Sequence, residues 1–290
     1  MTNKDVYTLV DPQNGNLAFK VFSFEDSRHF DHVQHINYYS LIWVKKGNGT
    51  IKADFSEYDV QNNSLFAFSP YQPFMFSSEK LSGIAINFHP DFFCIYQNHT
   101  EVAYNGILFN NIYKPPFVLV TDEAEETFSI VAKQMLKEIQ NKALAQRVLL
   151  VSYLKIFLIT ASRLKSEQQP AAKKAVSDIK EPYILQNLKD AIEKDFRTKH
   201  SASDYAESLH IPAKTLAKIT KTHFNKTLTD LISERIIIEA KRELYLTDKT
   251  VKEIAYDLGY TDEYYFSRFF KINTEVSPQM YRDTVGFARA

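Results

Sequence analysis

The stretch Ile254-Ala-Tyr-Asp-Leu-Gly-Tyr-Thr-Asp-Glu-Tyr-Tyr-Phe-Ser-Arg-Phe-Phe-Lys271 decides the fold of the last hundred residues. Ala255 and Leu258 predict a short helix that a second helix can cross closely, because Ala is small and Leu fills the crossing. Gly259-Tyr-Thr261 supplies a tight turn, and a second helix follows from Asp262 to about Asn273. This succession predicts a helix-turn-helix.

The same pattern occurs about 50 residues earlier in the chain. Ala206 and Leu209 take the places of the Ala and Leu named above, and His210-Ile-Pro212 forms the turn. The second helix of this copy covers Ala213 to about Phe224. Between the copies, Leu231 to Leu246 contains no Gly or Pro and predicts one continuous helix, which would hold the two units at a fixed separation.

Charge distinguishes these helices from an ordinary helical domain, in which the same apolar spacing would also occur. The chain has 35 basic and 35 acidic residues, so its overall charge offers no argument for a nucleic-acid partner. From Ser208 to Thr229, however, there is no Asp or Glu, while four lysines occur. Three of them, Lys214, Lys218 and Lys221, share one helix face, and the fourth is Lys226. An acid-free run of lysines favours a surface that faces phosphate.

The corresponding face of the second copy contains both signs of charge. Asp262 and Glu263 stand at the start of its helix, where acidic residues stabilise the N-terminus. Alternatively, Glu263 accepts a hydrogen bond from a cytosine amino group in the major groove. The predicted DNA-binding residues of the two copies are Lys214, Thr215, Lys218, Lys221, Asp262, Glu263, Tyr264, Ser267, Arg268 and Lys271.

The first part of the chain has the frequent turn-forming residues of a β domain, because five of the seven glycines and six of the ten prolines precede residue 117. Tyr39–Val44, the Gly/Asn turn and the alternating residues up to Phe55 predict a hairpin. Further short strands are predicted at Leu65–Phe68, Phe74–Phe76 and Ile84–Phe88. Several strands without intervening helices indicate a sandwich or small barrel.

Two helices and a linker are predicted after this β domain. Asp122–Glu126 opens a helix whose apolar residues are Phe128, Val131, Met135 and Ile139. A second helix covers roughly Leu144 to Leu164, and its apolar face is wide enough for contact with both the barrel and a partner chain. Dimerisation and internal packing both explain that face. Lys165–Lys174 is polar, contains Pro170 and is predicted to be a linker.

The C-terminal residues resemble the AraC/XylS family of bacterial transcription regulators. The resemblance is carried by Ile254–Lys271, quoted above, and by Ser277-Pro278-Gln-Met-Tyr281-Arg282. It extends over roughly residues 183 to 284, including Arg235 and Ala240–Leu244 in the linking helix. The resemblance implies a double helix-turn-helix domain that binds specific DNA sequences.

The N-terminal part is similar to the cupin-like sensor domain that often precedes this module. Gly47-Asn-Gly49 and Asn63–Pro70 carry that similarity. It implies a small-molecule effector and a homodimer. The aromatic residues Tyr38, Trp43, Phe66 and Phe68 are candidates for lining the ligand pocket, and the alternative is that they form ordinary barrel core.

Three positions depart from the family pattern, namely Glu275, Thr220 and Pro212. Glu275 stands where the family usually has Gly, so the helix end must avoid a left-handed conformation or accept strain. Asn225, which tolerates that conformation, takes the equivalent place in the first unit. Thr220 replaces a usual Phe, and Pro212 replaces a usual Ser or Thr cap, which predicts looser packing of the first unit.

No metal, cofactor or catalytic set is predicted. His29, His32 and His35 are spaced by three and would alternate between the faces of a strand. The acidic ligand of enzymatic cupins is missing after Tyr38-Tyr-Ser40, and Cys94 has no plausible His partner. The single cysteine indicates a reducing compartment. The N-terminus lacks the apolar core of a signal peptide, and Val148–Ala161 is too short to span a bilayer, so we expect a cytoplasmic protein without membrane contact.

Together, these observations predict a multi-domain α+β protein. Residues 1–120 form a cupin-like β-barrel or sandwich, 121–165 a helical dimerisation or packing region, 166–181 a linker, and 182–290 the all-α double helix-turn-helix. We predict a regulator of transcription that is not an enzyme, whose partners are double-stranded DNA, a small-molecule effector, a second copy and RNA polymerase. The alternative is a metal-dependent enzyme of the cupin type with a helical oligomerisation domain.

Overall fold

The computed structural model describes residues 6–10, 15, 17–78, 80–98, 102, 107–141, 143–168 and 183–286. The chain divides into two compact units. The first, called here the β unit, comprises Met1–Asn111 and Pro115–Pro170; the second, the helical unit, comprises Ile112–Lys114 and Ala171–Ala290. This division confirms the predicted α+β fold class with a C-terminal all-α part. Most of the predicted linker, residues 166–181, lies outside the described residues.

The β unit is a sandwich of two antiparallel sheets. One sheet has the order β1-β2-β8-β3-β6-β9, and the other has the order β5-β4-β7. The predicted strands at residues 65–68, 74–76 and 84–88 are confirmed. The strands are β1 (Val6–Val10), β2 (Leu17–Phe24), β3 (Tyr39–Lys46), β4 (Gly49–Ala53), β5 (Ser56–Val60), β6 (Ser64–Phe68), β7 (Phe74–Ser77), β8 (Ser82–Phe88) and β9 (Phe117–Leu119).

The predicted hairpin between β3 and β4 is wrong. Both strands exist, but β3 pairs with β6 and β8, while β4 pairs with β5 and β7 in the other sheet. The chain changes sheets at Gly47 and Gly49, whose φ angles are 124° and 156°. A Cβ at Gly47 would overlap the backbone oxygen of Lys80, so these glycines permit a close passage between the sheets. The hairpin in this region joins β4 to β5 through Asp54 and Phe55.

Alternation along β3 divides the β unit into two apolar layers. Trp43 belongs to the layer between the six-stranded sheet and two helices, α1 (Asp122–Gln140) and α2 (Gln146–Gln168). Its ring lies 5.6 Å from that of Phe128, which stacks on Phe157 at 4.1 Å. The second layer lies between the two sheets. The apolar face predicted for α1 is buried, and α2 ends four residues beyond its predicted end at Leu164.

The helical unit contains seven helices within residues 183–286, as the double helix-turn-helix predicts. Leu216 and Ile232 are buried in the first half of the unit, and Ile254 and Phe266 are buried in the second. The helices are α3 (Tyr183–Asp195), α4 (Ala202–Leu209), α5 (Ala213–Phe224), α6 (Leu228–Leu246), α7 (Val251–Asp257), α8 (Glu263–Thr274) and α9 (Pro278–Val285). α6 is the continuous linking helix.

The two turns have the same hydrogen bonds. The Ile211 amide donates to the Ala206 carbonyl oxygen at 3.0 Å, and the Tyr260 amide donates to the Ala255 carbonyl oxygen at 2.9 Å. Each bond spans five residues and satisfies a carbonyl group at the helix end, as in a Schellman motif. The two copies therefore orient α5 and α8 by the same backbone geometry.

The residue at the centre of each turn is left-handed, but the surroundings differ. His210 has a φ of 54° and is exposed, whereas Gly259 has a φ of 81°. A Cβ at Gly259 would overlap the backbone oxygen of Arg197. Only a glycine therefore fits the second turn without displacing the chain after α3.

We expect Gly259→Ala to lower the free energy of unfolding of the helical unit by about 2 to 4 kcal/mol, because it combines a left-handed alanine with a backbone overlap. His210→Ala is the matched control and should change stability by less than about 1 kcal/mol. Urea unfolding followed by circular dichroism measures both. Trp43, the single tryptophan, reports the β unit separately by fluorescence. Equal losses in the two variants would contradict the overlap.

Candidate nucleic-acid interface

The second helices of the two helix-turn-helix units, and the residues that follow them, are related by a shift of 50 residues. α5 and α8 both have 12 residues and begin 50 positions apart. Asn225 and Glu275 end them, both left-handed, with φ angles of 55° and 63°. Thr227 and Ser277 then cap α6 and α9 through their side chains. Every position on the exposed face of α5 therefore has a counterpart on α8.

α5 exposes the lysine face that the sequence predicts. Lys214, Lys218 and Lys221 are all exposed, as is Thr215, whereas Leu216 on the other side of the helix is buried. The Lys221 ammonium donates to the Asn225 carbonyl oxygen at 3.3 Å, near the C-terminal end of the helix. The three ammonium groups form one cationic surface.

Lys226 does not belong to this surface. Its side chain is 6% exposed, and its ammonium group contacts a carboxylate oxygen of Glu234 at 2.7 Å. Grouping it with the other lysines of the acid-free run was wrong, because the left-handed Asn225 ends α5 and turns the next residue inward. The exposed face of α5 therefore includes three of the four lysines between Ser208 and Thr229.

α8 exposes Tyr264, Arg268 and Lys271 at the positions equivalent to the three lysines. Asp262 has a structural role, because its carboxylate accepts the Tyr265 amide at 2.8 Å and caps the helix. Glu263 and Ser267 are half-buried beside the exposed face.

Two exposed residues of α8 were absent from the predicted set. Tyr265 is 65% exposed and Ile272 is 73% exposed. Applying the 50-residue shift to Thr215 would have found Tyr265. Ile272 corresponds to the exposed Thr222 and was missed because an aliphatic residue on a helix predicts burial.

The structure shows how the chain accommodates the three residues that depart from the family pattern. Glu275 adopts the left-handed conformation, so it accepts the strain that the sequence left open. Pro212 precedes α5 without a side-chain hydrogen bond to the helix, and Thr220 is fully buried with its hydroxyl group donating to the Ala217 carbonyl oxygen at 3.1 Å. The first unit therefore lacks both the cap and the aromatic residue that its counterpart has.

A buried carboxylate in α6 holds the first part of the helical unit together. Glu239 contacts Arg197 at 2.7 Å, Arg242 at 2.9 Å and Arg235 at 3.1 Å. Burial alone would raise the pKa of the Glu239 carboxyl group, but the three guanidinium groups outweigh it and lower that pKa below its ordinary value. The carboxylate is therefore charged at neutral pH.

A further arginine, Arg282, anchors the C-terminal end of α6. Arg282 of α9 donates to the carbonyl oxygens of Leu244 at 3.1 Å, Thr247 at 3.4 Å and Lys249 at 2.6 Å. These carbonyl groups lie at the end of α6 and in the chain that follows it. The C-terminal half of α6 is thus fixed both to the chain after α3, through Arg197, and to α9, through Arg282, which helps to hold the two helix-turn-helix units in one arrangement.

The four aromatic candidates of the β unit do not line one common pocket. Phe66 and Phe68 are fully buried between the sheets, and Phe68 stacks on Phe74 at 4.0 Å. Trp43 points to the opposite face of the same sheet. Tyr38 is half-buried, with its ring 5.8 Å from that of His89. The surroundings of Phe66 and Phe68 are those of an apolar core.

The three N-terminal histidines are exposed. His29 ends a short 3-10 helix, Ser27–His29, and His32 contacts the Asp31 carboxylate at 3.0 Å. Within the described ranges, no group of three or more His, Cys, Asp and Glu side chains could hold a metal ion. Among those same residues, no helix has both the length and the hydropathy to cross a membrane.

The helix-turn-helix is a DNA-binding motif, and this chain has two such units on one linking helix. Residues 205–284 match a family model described as a helix-turn-helix domain. The C-terminal domain of this chain is a helix-turn-helix domain of the AraC type, which confirms the resemblance seen in the sequence.

Known relatives match mainly this domain. The raffinose operon transcriptional regulatory protein RafR of Pediococcus pentosaceus is 28% identical over 95 residues, which are 33% of this chain and 34% of RafR. The regulatory protein SoxS of Escherichia coli K12 is 36% identical over 67 residues, which are 23% of this chain and 63% of SoxS. The chain thus spans about a third of RafR and under two thirds of SoxS. The structure of ToxT from Vibrio cholerae O395 aligns with 98% of this chain and 97% of its own, at 16% identity and a TM-score of 0.40.

We expect Glu239→Gln to lower the free energy of unfolding of the helical unit by about 1 to 3 kcal/mol at pH 7, because three arginines each lose one of their charged partners. The folded-state pKa of Glu239 lies below the ordinary value of 4.5, so its contribution is present above that pH and is lost as the pH falls through the folded-state pKa. The difference between wild type and variant should therefore narrow in acid.

Urea unfolding at pH 7 and at about pH 3.5, followed by circular dichroism, measures this difference. Glu207→Gln is the control, because it makes the same chemical change at an exposed position of the same unit. A gap of equal size at both pH values would show that the charge of Glu239 contributes nothing.

Proposed function

We propose that this protein is a sequence-specific DNA-binding regulator of transcription and not an enzyme. The observation that carries the proposal is the 50-residue shift between α5 and α8. Because of this shift, the two helices expose corresponding positions, and these positions include five cationic side chains in total. The names of the relatives, which are transcription regulators, support it. The metal-dependent enzyme of the cupin type has no comparable support, and the metal content of the purified protein tests it directly.

The lysine face of α5 suits the DNA backbone. Lys214, Lys218 and Lys221 lie within two turns of one helix, and the residues from Ser208 to Thr229 include no acid that could neutralise them. Ammonium groups on phosphates add affinity for DNA of any sequence. With Thr215, they are the proposed contacts of the first unit.

The face of α8 suits recognition of bases. Arg268, at its centre, has the guanidinium fork that guanine accepts in the major groove. Tyr264, Ser267 and Lys271 complete the proposed surface. Two roles are proposed for Glu263, a hydrogen bond with cytosine and a charge that stabilises the helix N-terminus. Asp262 caps the helix and is therefore proposed to position α8 on the DNA. On a rigid frame, α5 and α8 should enter successive major grooves about 34 Å apart.

Removing the lysine face should weaken binding to all DNA sequences alike. We expect the triple variant Lys214→Ala, Lys218→Ala, Lys221→Ala to flatten the salt dependence of the association constant by about 0.9 for each phosphate that the protein no longer neutralises. Fluorescence anisotropy between about 50 and 200 mM salt measures the slope.

The matched control removes three exposed lysines of the β unit, Lys52, Lys133 and Lys137, and leaves the slope unchanged. It separates local contacts from the change in net charge. If the α5 variant retains the wild-type slope, its lysines only face solvent.

We also propose that the β unit forms a homodimer through the outer face of α2. Val148 is 67% exposed, and Leu149 and Ile156, one and eight positions later, are exposed aliphatic residues as well. Aliphatic side chains along one outer helix face suit an isologous contact with a second copy. We further propose that the β unit binds a small-molecule effector and that the protein contacts RNA polymerase. A protein that binds DNA in this way would be located in the cytoplasm, because bacterial DNA lies there.

Charges on this face should separate the copies. We expect Leu149→Glu with Ile156→Glu to convert a dimer into a monomer in sedimentation equilibrium, because buried like charges repel across the symmetry axis. Lys133→Glu with Lys137→Glu on α1 is the control and should keep the wild-type mass. A monomeric wild type at micromolar concentration would exclude the dimer.

A further inference from the structure

The outward faces of α5 and α8 differ in chemistry although their backbones correspond. Along α5 the outermost line is Lys214, Lys218 and Thr222, which are polar and exposed. The equivalent line on α8 is Tyr264, Arg268 and Ile272. Tyr264 is 84% exposed and Ile272 is 73% exposed, so two large side chains with apolar surface flank one arginine.

The positions of these residues place them on one line. Residues 264, 268 and 272 are spaced by four, and side chains at that spacing are neighbours along a helix. Phe266 and Phe270 are fully buried, which fixes the opposite side of α8 against the helical unit. An exposed isoleucine contributes nothing to that core, so packing does not explain its presence.

Double-stranded DNA offers one apolar feature in the major groove, the C5-methyl group of thymine. A branched aliphatic side chain can cover this methyl group, and an aromatic ring can pack on it. The neighbouring Arg268 can bond guanine, and Lys271 on the same helix favours a polyanion over an apolar protein surface. The correspondence with the lysine face of α5 points to the same partner for both helices.

We propose that α8 recognises thymine methyl groups through Ile272 and Tyr264, so that the half-site of the second unit contains thymine, whereas α5 binds mainly phosphates. This inference rests on the proposed DNA-binding function and adds the base that the second unit selects. Ile272 and Tyr264 are then residues that determine specificity.

The test removes only the methyl groups. Preferred sites are first selected from random DNA with the full-length protein, and each thymine of the second half-site is then replaced by deoxyuridine, which pairs in the same way. We expect a three- to fivefold loss of affinity at a contacted position, about the value of one buried methyl group.

Ile272→Thr introduces the residue found at the matched position of α5. It keeps the branched shape, and at an exposed position it should leave thermal unfolding unchanged. We expect this variant to bind the thymine site more weakly and to discriminate less between thymine and deoxyuridine at the position that Ile272 contacts, because threonine replaces the longer aliphatic branch with a hydroxyl group and keeps only one methyl group. Thr222→Ala on α5 is the control and should retain the wild-type ratio between thymine and deoxyuridine.

The possible failures are distinguishable. If the wild type selects no sequence from random DNA, the proposed function fails. If it selects a site but binds thymine and deoxyuridine equally, or if Ile272→Thr keeps the wild-type ratio, methyl recognition by α8 is excluded while DNA binding stands. An Ile272→Thr variant with unchanged DNA binding but abolished transcriptional activity would assign this face to a protein partner and overturn the inference.

Discussion

Glu239 lies within α6 with its carboxylate in contact with Arg197, Arg235 and Arg242. Removing one partner of a buried ionic group is costly, because the remaining charges lose their compensation. Arg197 extends this dependence to the second unit, since its backbone oxygen lies where a side chain at Gly259 would have to fit. The chain after α3, the linking helix and the second turn therefore meet at one cluster of charges.

The repeat explains why the two units share a backbone but not a chemistry. Hydrogen bonds, caps and left-handed residues recur at matching positions, and these features determine where each second helix lies. The side chains on the outer faces are free of that constraint, because they do not pack into the core of the helical unit. The outer face of α5 is accordingly cationic, whereas the outer face of α8 combines cationic side chains with Tyr264 and Ile272.

The internal sides of the two units differ as well. Phe266, Phe270 and Tyr281 pack as a row of aromatic rings in the second unit, with centroids about 6 Å apart. The first unit has Leu216 and Thr220 at the positions of the two phenylalanines. Two phenylalanine side chains have more apolar surface to bury than a leucine and a threonine, which favours the second unit, whereas the left-handed Glu275 costs it some stability.

The sequence by itself determined those features that depend on near neighbours in the chain. The helix-turn-helix spacing, the acidic start of α1, the lysine face of α5 and the capping position of Asp262 all follow from residues within one or two turns. Tertiary structure decided what depends on distant partners. Alternation along β3 assigns its residues to two faces, but it does not show that β4 lies in the other sheet. The separation of Trp43 from Phe66 also depends on how β3 pairs with β6, which only the tertiary structure shows. Lys226 is buried because the chain leaves α5 at Asn225 and its ammonium group contacts Glu234 of α6, and local periodicity carries no information about such a contact.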